Sequence, residues 1–250
     1  MEGRRELCDK FRAKIGKKAE GELWASWQTF FPLLTHFVTD LYHRMEIFKD
    51  MVEVVSAKPE TLSPPVLFNW MRDNYIVSEC MAIRRMLDVD ERSISLGRLL
   101  REIELRPELL SKTRYFELVR DKGLSESAAT ESFDRMLGQS VDHITTELVA
   151  ADIARLEDAE TNIRKLVNKR FAHSSPFTQV PEFEVFHEIE QAIEELDQIV
   201  VKYDSLIYGG FLSTTHAAKL NWKQPLAVAW LPRDTQSSVP SYGGPTHRAL

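Results

Sequence analysis

The sequence is short of residues that interrupt helices. It contains only 10 glycines and 11 prolines in 250 residues. The prolines cluster near positions 59 to 65 and in the last 26 residues, so long stretches carry no helix breaker. No segment of useful length shows the alternation of apolar and polar residues that is typical of a strand. The sequence therefore predicts an all-α protein.

Three further scarcities exclude whole classes of protein. Two cysteines, Cys8 and Cys80, are too few for a disulfide framework or a four-cysteine zinc site. No apolar run approaches the roughly 18 to 20 residues that span a bilayer, and the N-terminus lacks the apolar core of a secretory signal. A formal net charge of −6 is not typical of a dedicated duplex-DNA binder. We therefore expect a cytoplasmic protein without a membrane partner.

The short motifs of several enzyme classes are also missing. The chain has no GxGxxG, GxxxxGKS, GxxxxGKT, HExxH, CxxC or GxSxG. Readings as an ATP-driven enzyme, a flavoenzyme, a zinc hydrolase or a serine hydrolase therefore have no support. We expect neither a cofactor nor a metal ion.

What the sequence does have is apolar periodicity of three and four residues. It is clearest over about 140 to 172 and again after Pro181, where two stripes joined by a short loop predict a long antiparallel helical hairpin. Residues 3 to 56 also have helical spacing, and Pro32 should kink or break this run. The pattern predicts an antiparallel helical bundle.

Further helices are expected between this first run and the hairpin. One starts near Pro65, and its residues on one face are Leu67, Trp70, Met71, Asn74, Val77 and Met81. Serines before two later apolar runs, Ser93 or Ser95 and then Ser125, are expected to cap shorter helices. We predict a helical bundle over residues 1–210, a packed strap or extension over 211–232 and a disordered, irregular tail over 233–250.

Two clusters of polar residues could be taken for functional sites, but the residues around them favour a structural role. His36, Asp40 and His43 share a helix face and could bind a metal, but three ligands from one helix are unusual, and a buried or interfacial polar face is preferred. The second cluster is an acidic run expected to form only the solvated face of an amphipathic helix: Glu188, Glu190, Glu194, Glu195 and Asp197.

A third cluster, at the end of the first hairpin helix, is cationic. In a chain of net negative charge it gathers an amide and an imidazole among four cations: Arg164, Lys165, Asn168, Lys169, Arg170 and His173. Two interpretations are open. Cations and a histidine near a helix C-terminus can simply stabilise the dipole. Alternatively, the cations hold phosphate, and the imidazole, with an ordinary pKa near 6.5, transfers protons.

Two blocks of the sequence resemble the HEPN superfamily, and most of all its AbiU-like abortive-infection branch. One block is Ile163-Arg-Lys-Leu-Val-Asn-Lys-Arg-Phe-Ala-His173, and the other is Ile83-Arg-Arg-Met-Leu-Asp88 followed by Ser95-Leu96 and Leu99-Leu100. With the helix order, the likeness covers roughly residues 5 to 210. It implies a helical homodimer that acts on RNA as a metal-independent ribonuclease, in phage defence or in a toxin–antitoxin system with a cognate antitoxin.

The superfamily signature is an arginine, a polar residue next to it and a histidine four to six residues beyond the arginine. His173 matches the histidine and Asn168 the polar residue, but the arginine position holds Val167. Arg164 is separated from His173 by eight residues and Arg170 by two, so neither has the expected spacing.

Carried over to this chain, the resemblance implies His173 as the acid/base with Asn168 beside it. Arg164 or Arg170 would hold the phosphate, and Lys165 and Lys169 would bind nucleic acid. Because valine replaces the motif arginine, a non-catalytic HEPN-like module that binds RNA, a nucleotide or a partner protein stays open. A purely structural scaffold, which needs only the amphipathic stripes, is a third reading.

Overall fold

The computed structural model describes seven complete α-helices, one 3-10 turn and a short helical stretch at residues 13–15. It describes residues 13–57, 66–90, 92–139, 141–167 and 182–210. The α-helices are α1 Glu20–Ala57, α2 Val66–Met86, α3 Leu96–Leu105, α4 Lys112–Arg120, α5 Glu126–Leu137, α6 Thr146–Val167 and α7 Glu182–Tyr208, with the 3-10 turn Pro107–Leu109 before α4.

Within those ranges the backbone forms no strand, only an isolated bridge between Ser111 and His143, so the all-α prediction is confirmed. None of the described helices is long and apolar enough to cross a membrane. Contacts divide the chain into residues 1–217 and 218–250, and every described residue belongs to the first unit. The predicted strap and tail, 211–232 and 233–250, lie outside the described residues.

Helix α7 occupies the centre of the bundle. It contacts α1, α2, α4 and α6, and its apolar side chains cover more than one stripe of its surface. The buried ones are Val185, Ile189, Ala192, Ile193, Leu196, Ile199, Val200, Tyr203, Leu206 and Ile207. A helix that is apolar on several sides has to be surrounded by other helices.

The predicted hairpin is the antiparallel pair α6 and α7. The Arg155 guanidinium donates to Glu195 Oε2 at 2.7 Å, and one turn earlier Asp152 Oδ2 accepts from Lys202 Nζ at 2.7 Å and from the Tyr203 hydroxyl at 3.0 Å. The later residue of α6, Arg155, bonds the earlier residue of α7, Glu195, while the earlier Asp152 bonds the later Lys202 and Tyr203. The two helices therefore run in opposite directions. Helix α6 begins six residues later than expected, where the Thr145 hydroxyl accepts the Leu148 N–H.

The block around residues 83 to 100 forms the tight junction between α2 and α3. Ser95 caps α3 by accepting the Arg98 N–H, and its hydroxyl donates to the carbonyl of Asp88. A Cβ on Gly97 would lie 2.7 Å from the Leu87 carbonyl oxygen, so only glycine fits this approach of the two helices. Ser125 likewise caps α5. Ser125 was predicted as a cap from the sequence, and of the two serines left open before α3 the structure selects Ser95.

Pro32 does not break α1, which was one of the two outcomes that the sequence left open. Helix α1 continues from Glu20 to Ala57 with Pro32 inside it. Proline lacks the N–H that would bond the carbonyl four residues earlier, which belongs to Gln28. The Tyr208 hydroxyl, from the end of α7, donates to that carbonyl. A side chain of another helix thus replaces the missing donor, and the long helix is kept.

The expectation that the acidic run of α7 is wholly solvated is wrong for Asp197. This side chain is only 7% exposed, because positions 193 and 200, one turn away on either side, face the core. Its Oδ1 finds no hydrogen-bond partner among the described residues. Burial disfavours the charged carboxylate and raises the pKa of Asp197 to about 6.

The bond between Tyr208 and Pro32's helix can be tested by a double-mutant cycle. Tyr208→Phe should lower the free energy of unfolding by about 1–2 kcal/mol, because the Gln28 carbonyl loses its donor. When Pro32→Ala is also present, the backbone N–H at position 32 can bond this carbonyl, and most of that cost should vanish. Urea unfolding of the four proteins gives the coupling. An equal cost of Tyr208→Phe in both backgrounds would contradict the explanation.

The buried Asp197 should make stability depend on pH. Its folded-state pKa lies above the unfolded value near 3.9, so its contribution is fully present at low pH and is lost as the pH rises through about 6. Asp197→Asn removes this loss, and its advantage over wild type in urea unfolding should grow by about 2 kcal/mol between about pH 4.5 and pH 8. The exposed neighbour Glu194→Gln is the matched control, and an advantage that does not change with pH would exclude this role for Asp197.

Candidate nucleic-acid interface

Four helices meet at the end of the bundle where α6 stops. A cluster of aromatic rings fixes the end of α1 against the starts of α2 and α7: Phe48 stacks on Tyr75 with centroids 4.2 Å apart, and lies 5.1 Å from Phe186 and 6.4 Å from Phe68. Because α6 and α7 form an antiparallel hairpin, the last turn of α6 lies at this same end. The basic segment therefore starts at the end of the bundle that carries the aromatic cluster.

Arg164 and Lys165 occupy that last turn of α6. Both side chains are exposed, while the preceding Ile163 is fully buried and anchors the turn. Neither cation forms an ion pair with any residue that the structure describes. Two exposed cations at a helix C-terminus that pair with no described residue stabilise the helix dipole and remain available to a phosphate. This geometry is compatible with both interpretations of the cationic segment.

The other predicted site residues lie outside the described residues: Asn168, Lys169, Arg170 and His173. Their roles stay predictions. Val167, at the position expected for the motif arginine, is the last residue of α6. The described structure therefore places the first two cations of the segment, at the point where its helix ends.

A groove between α6 and α7 was not foreseen from the sequence. Its volume is about 340 Å³, and it is lined by Arg155, Asp158, Ala159, Asn162, Glu188, Gln191, Ala192, Glu194 and Glu195. Four of these side chains are carboxylates, and the single cation, Arg155, is already bonded to Glu195. The groove therefore repels phosphate. A bound polyanion would approach the end of α6 and stay out of the groove beside it.

An imidazole that sequence reasoning did not consider, His187, also stands at this end. Its side chain is exposed on the second turn of α7, and its Nε2 lies 3.0 Å from the amide nitrogen of Gln191. It lies one residue beyond the aromatic Phe186 of the cluster. The sequence does not show that His187 lies at the end of the bundle where α6 stops, because it follows His173 by 14 residues in the chain. The antiparallel pairing of α6 with α7 shows it.

The helix face of His36, Asp40 and His43 does not act as one unit. His36 is exposed, with its Nε2 3.6 Å from a carboxylate oxygen of Asp40. The Nε2 of His43 is buried and has no hydrogen-bond partner within the described part of the chain. No three potential metal ligands come together anywhere in that part. The face is divided between solvent and core, so only its His43 end is the buried polar face that the sequence favoured.

Comparison with known proteins adds one match. The family model for HEPN AbiU2, described as AbiU2, matches residues 25–223, a range that includes most of α1, all of α2 to α7 and the whole cationic segment. No curated protein and no solved structure matches the chain. Because the family match covers far more than half of the sequence, the chain belongs to the AbiU2 family of HEPN proteins, a group related to abortive infection.

Proposed function

We propose that this protein acts on RNA as a metal-independent endoribonuclease, as a homodimer in the cytoplasm. Its biological setting would be phage defence or a toxin–antitoxin pair with a cognate antitoxin. The observation that carries the proposal is the exposed pair Arg164 and Lys165. These cations have no ion-pair partner among the described residues, and they open a basic segment that ends in His173. Membership of the AbiU2 family supports it.

The reaction would use the 2′-hydroxyl of RNA as its own nucleophile. A base removes the 2′ proton, the 2′ oxygen bonds to phosphorus, and the bond from phosphorus to the 5′ oxygen breaks as an acid returns a proton to that leaving oxygen. The products are a 2′,3′-cyclic phosphate and a 5′-hydroxyl. His173 would transfer protons, and Arg164 or Arg170 would stabilise the charge that develops on the phosphate.

The described charges support one direction of approach. The carboxylates of the groove between α6 and α7 exclude the RNA backbone from that side. The exposed cations of the last turn of α6 attract it, and Lys165, Lys169 and Arg170 extend the attraction along the segment. RNA would therefore cross the end of the bundle.

A second candidate function is a non-catalytic module that binds RNA, a nucleotide or a partner protein. The observation that favours it is Val167, because an absent cation at the reacting phosphate would cost on the order of 10² to 10³ in rate. Binding would persist in such a module because the neighbouring cations remain. The two candidates differ in whether RNA is cut at all.

The ribonuclease proposal is tested with a 5′-labelled RNA in buffer containing EDTA. Wild type should produce fragments that end in 2′,3′-cyclic phosphate, and His173→Ala should lower the initial rate at least about 100-fold, since a proton-transfer group is lost. His143→Ala is the matched control. That exposed histidine precedes α6, about 30 Å along the helix from Arg164, and its removal should leave the rate unchanged.

Each other outcome decides a different part of the proposal. Background cleavage by all the proteins, with RNA still bound, would reject the nuclease in favour of the binding module. Loss of cleavage in His187→Ala but not in His173→Ala would keep the activity and reassign the proton-transfer group. Cleavage that EDTA abolishes would contradict the metal-independent reaction.

RNA binding is tested separately with a 2′-O-methyl oligonucleotide, which lacks the nucleophile. Arg164→Ala with Lys165→Ala should weaken binding and lower the slope of log K against log salt by about 1.4, the value for two lost contacts to single-stranded phosphates. The double variant Arg120→Ala with Arg135→Ala removes the same charge from α4 and α5 and should leave the slope unchanged. Equal slopes for the two double variants would show that the end of α6 is not the binding surface.

A further inference from the structure

The outer face of α2 is apolar and uncovered. Trp70 is 63% exposed, Val77 44% and Met81 52%, and Val66 and Leu67 continue the strip to the start of the helix. The opposite face carries the residues that pack in the core: Ile76, Cys80, Ile83 and Met86. Helix α2 therefore has two apolar faces, one that packs in the core of its own chain and one that is exposed. Contiguous exposed apolar patches of this kind mark binding surfaces in soluble proteins.

The spacing of this strip is that of a helix–helix seam. Leu67, Trp70, Asn74, Val77 and Met81 follow one another at intervals of three and four residues, the repeat that packs one helix along another. The strip is about 21 Å long. We call these five residues the α2 seam.

Asn74, the polar member of the α2 seam, does not prevent its burial. Its amide nitrogen donates to the Trp70 carbonyl at 2.7 Å, so the side chain lies along its own helix. One amide hydrogen is thus satisfied within the helix, while the second hydrogen and Oδ1 are left to water or to a polar group of a partner. Covering Asn74 with an apolar side chain therefore has a cost that the burial of Trp70, Val77 and Met81 has to offset.

We propose that the α2 seam binds the same seam of a second copy of this chain, with the two α2 helices antiparallel and the two-fold axis between Asn74 and Val77. Asn74 of each copy then lies opposite Val77 of the other, and Trp70 opposite Met81. The inference rests on the homodimer of the proposed function and specifies the surface that forms it.

The size of the apolar face suits a second copy. Val66, Leu67, Trp70, Val77 and Met81 expose on the order of 500 Å² per chain, so complete burial of this face in a pair of copies removes at most about 1,000 Å² from water. Contacts at the rim have to supply the rest of the roughly 1,200 Å² of the smallest stable interfaces. A two-fold dimer needs one patch that is complementary to itself. In the antiparallel register the α2 seam faces itself, with the smaller Asn74 and Val77 opposite each other at the centre and the larger Trp70 and Met81 opposite each other on either side.

Charge selects the antiparallel orientation. Arg84 and Arg85 are exposed in the last turn of α2, which has no acidic residue in its first turn. Parallel helices would set these two arginines against the same two arginines of the other copy, an unfavourable contact between like charges. Antiparallel helices carry them to opposite ends of the interface, where Arg84 faces the apolar Leu67.

The register is tested by charge swapping in the full chain, with mass measured by sedimentation equilibrium. Wild type should be dimeric at micromolar concentration, and Trp70→Glu alone and Met81→Lys alone should each weaken association at least about tenfold. An equimolar mixture should regain the dimer, because the introduced carboxylate of one chain faces the introduced ammonium of the other. Leu33→Lys, on a comparably exposed side chain of α1 (41%), is the matched control and should remain dimeric. Far-ultraviolet circular dichroism checks that each variant keeps its helices.

The outcomes separate the interface from the rest of the proposal. A wild-type dimer that both charged variants preserve overturns the α2 interface but not dimerisation. Variants that dissociate and do not recover on mixing overturn the antiparallel register. A monomeric wild type, including one in which another segment of the chain covers α2, overturns both the interface and the homodimer. RNA cleavage by the same samples reports on the ribonuclease independently of all three.

Discussion

The burial of α7 is the constraint on which the rest of this structure depends. A 27-residue helix with apolar side chains on several sides is stable in water only when other helices surround it, and α1, α2, α4 and α6 do so. The direction of α7 then sets the direction of α6 through Asp152 and Arg155, whose partners Lys202, Tyr203 and Glu195 lie on α7. The cationic end of α6 consequently lies beside the aromatic cluster, away from the Tyr208 end of α7.

Polar groups inside the bundle are satisfied mainly by partners far away in sequence. Glu102 is fully buried, and its carboxylate accepts from the Trp27 indole at 2.9 Å and from Arg98 at 3.0 Å. The Tyr208 hydroxyl serves the Gln28 carbonyl that Pro32 leaves without a donor. Asp197 and Asp204 differ: each has a carboxylate oxygen without a hydrogen-bond partner among the described residues, and burial raises the pKa of both to about 6. Where cross-helix partners are missing, burial favours the protonated acid.

Whether a feature of this fold can be predicted from the sequence depends on whether residues close in the chain determine it. The hairpin and the Ser95 and Ser125 caps follow from periodicity and from one side chain within a turn, and the structure agrees with them. The continuity of α1 through Pro32 could not be predicted, because its donor lies 176 residues further along the chain. The apolar face of Trp70 and Val77 was visible in the sequence. Periodicity alone does not tell whether such a face meets the core of its own chain or solvent, and only the packing of Ile76 and Ile83 decides this.

The net charge of −6 and an RNA-binding role are compatible because charge acts locally in salt. At physiological ionic strength the Debye length is about 8 Å, so carboxylates at the far end of a bundle this long contribute little to the potential at the end of α6. The carboxylates that matter are those lining the groove between α6 and α7, and they are adjacent to the basic segment. In the proposed function they would direct the RNA, since a phosphate backbone repelled from the groove would find the exposed cations Arg164 and Lys165 at the end of α6. The composition thus excludes a surface that is positively charged overall, but it is compatible with a small cationic surface. The end of α6 sets the position of that surface.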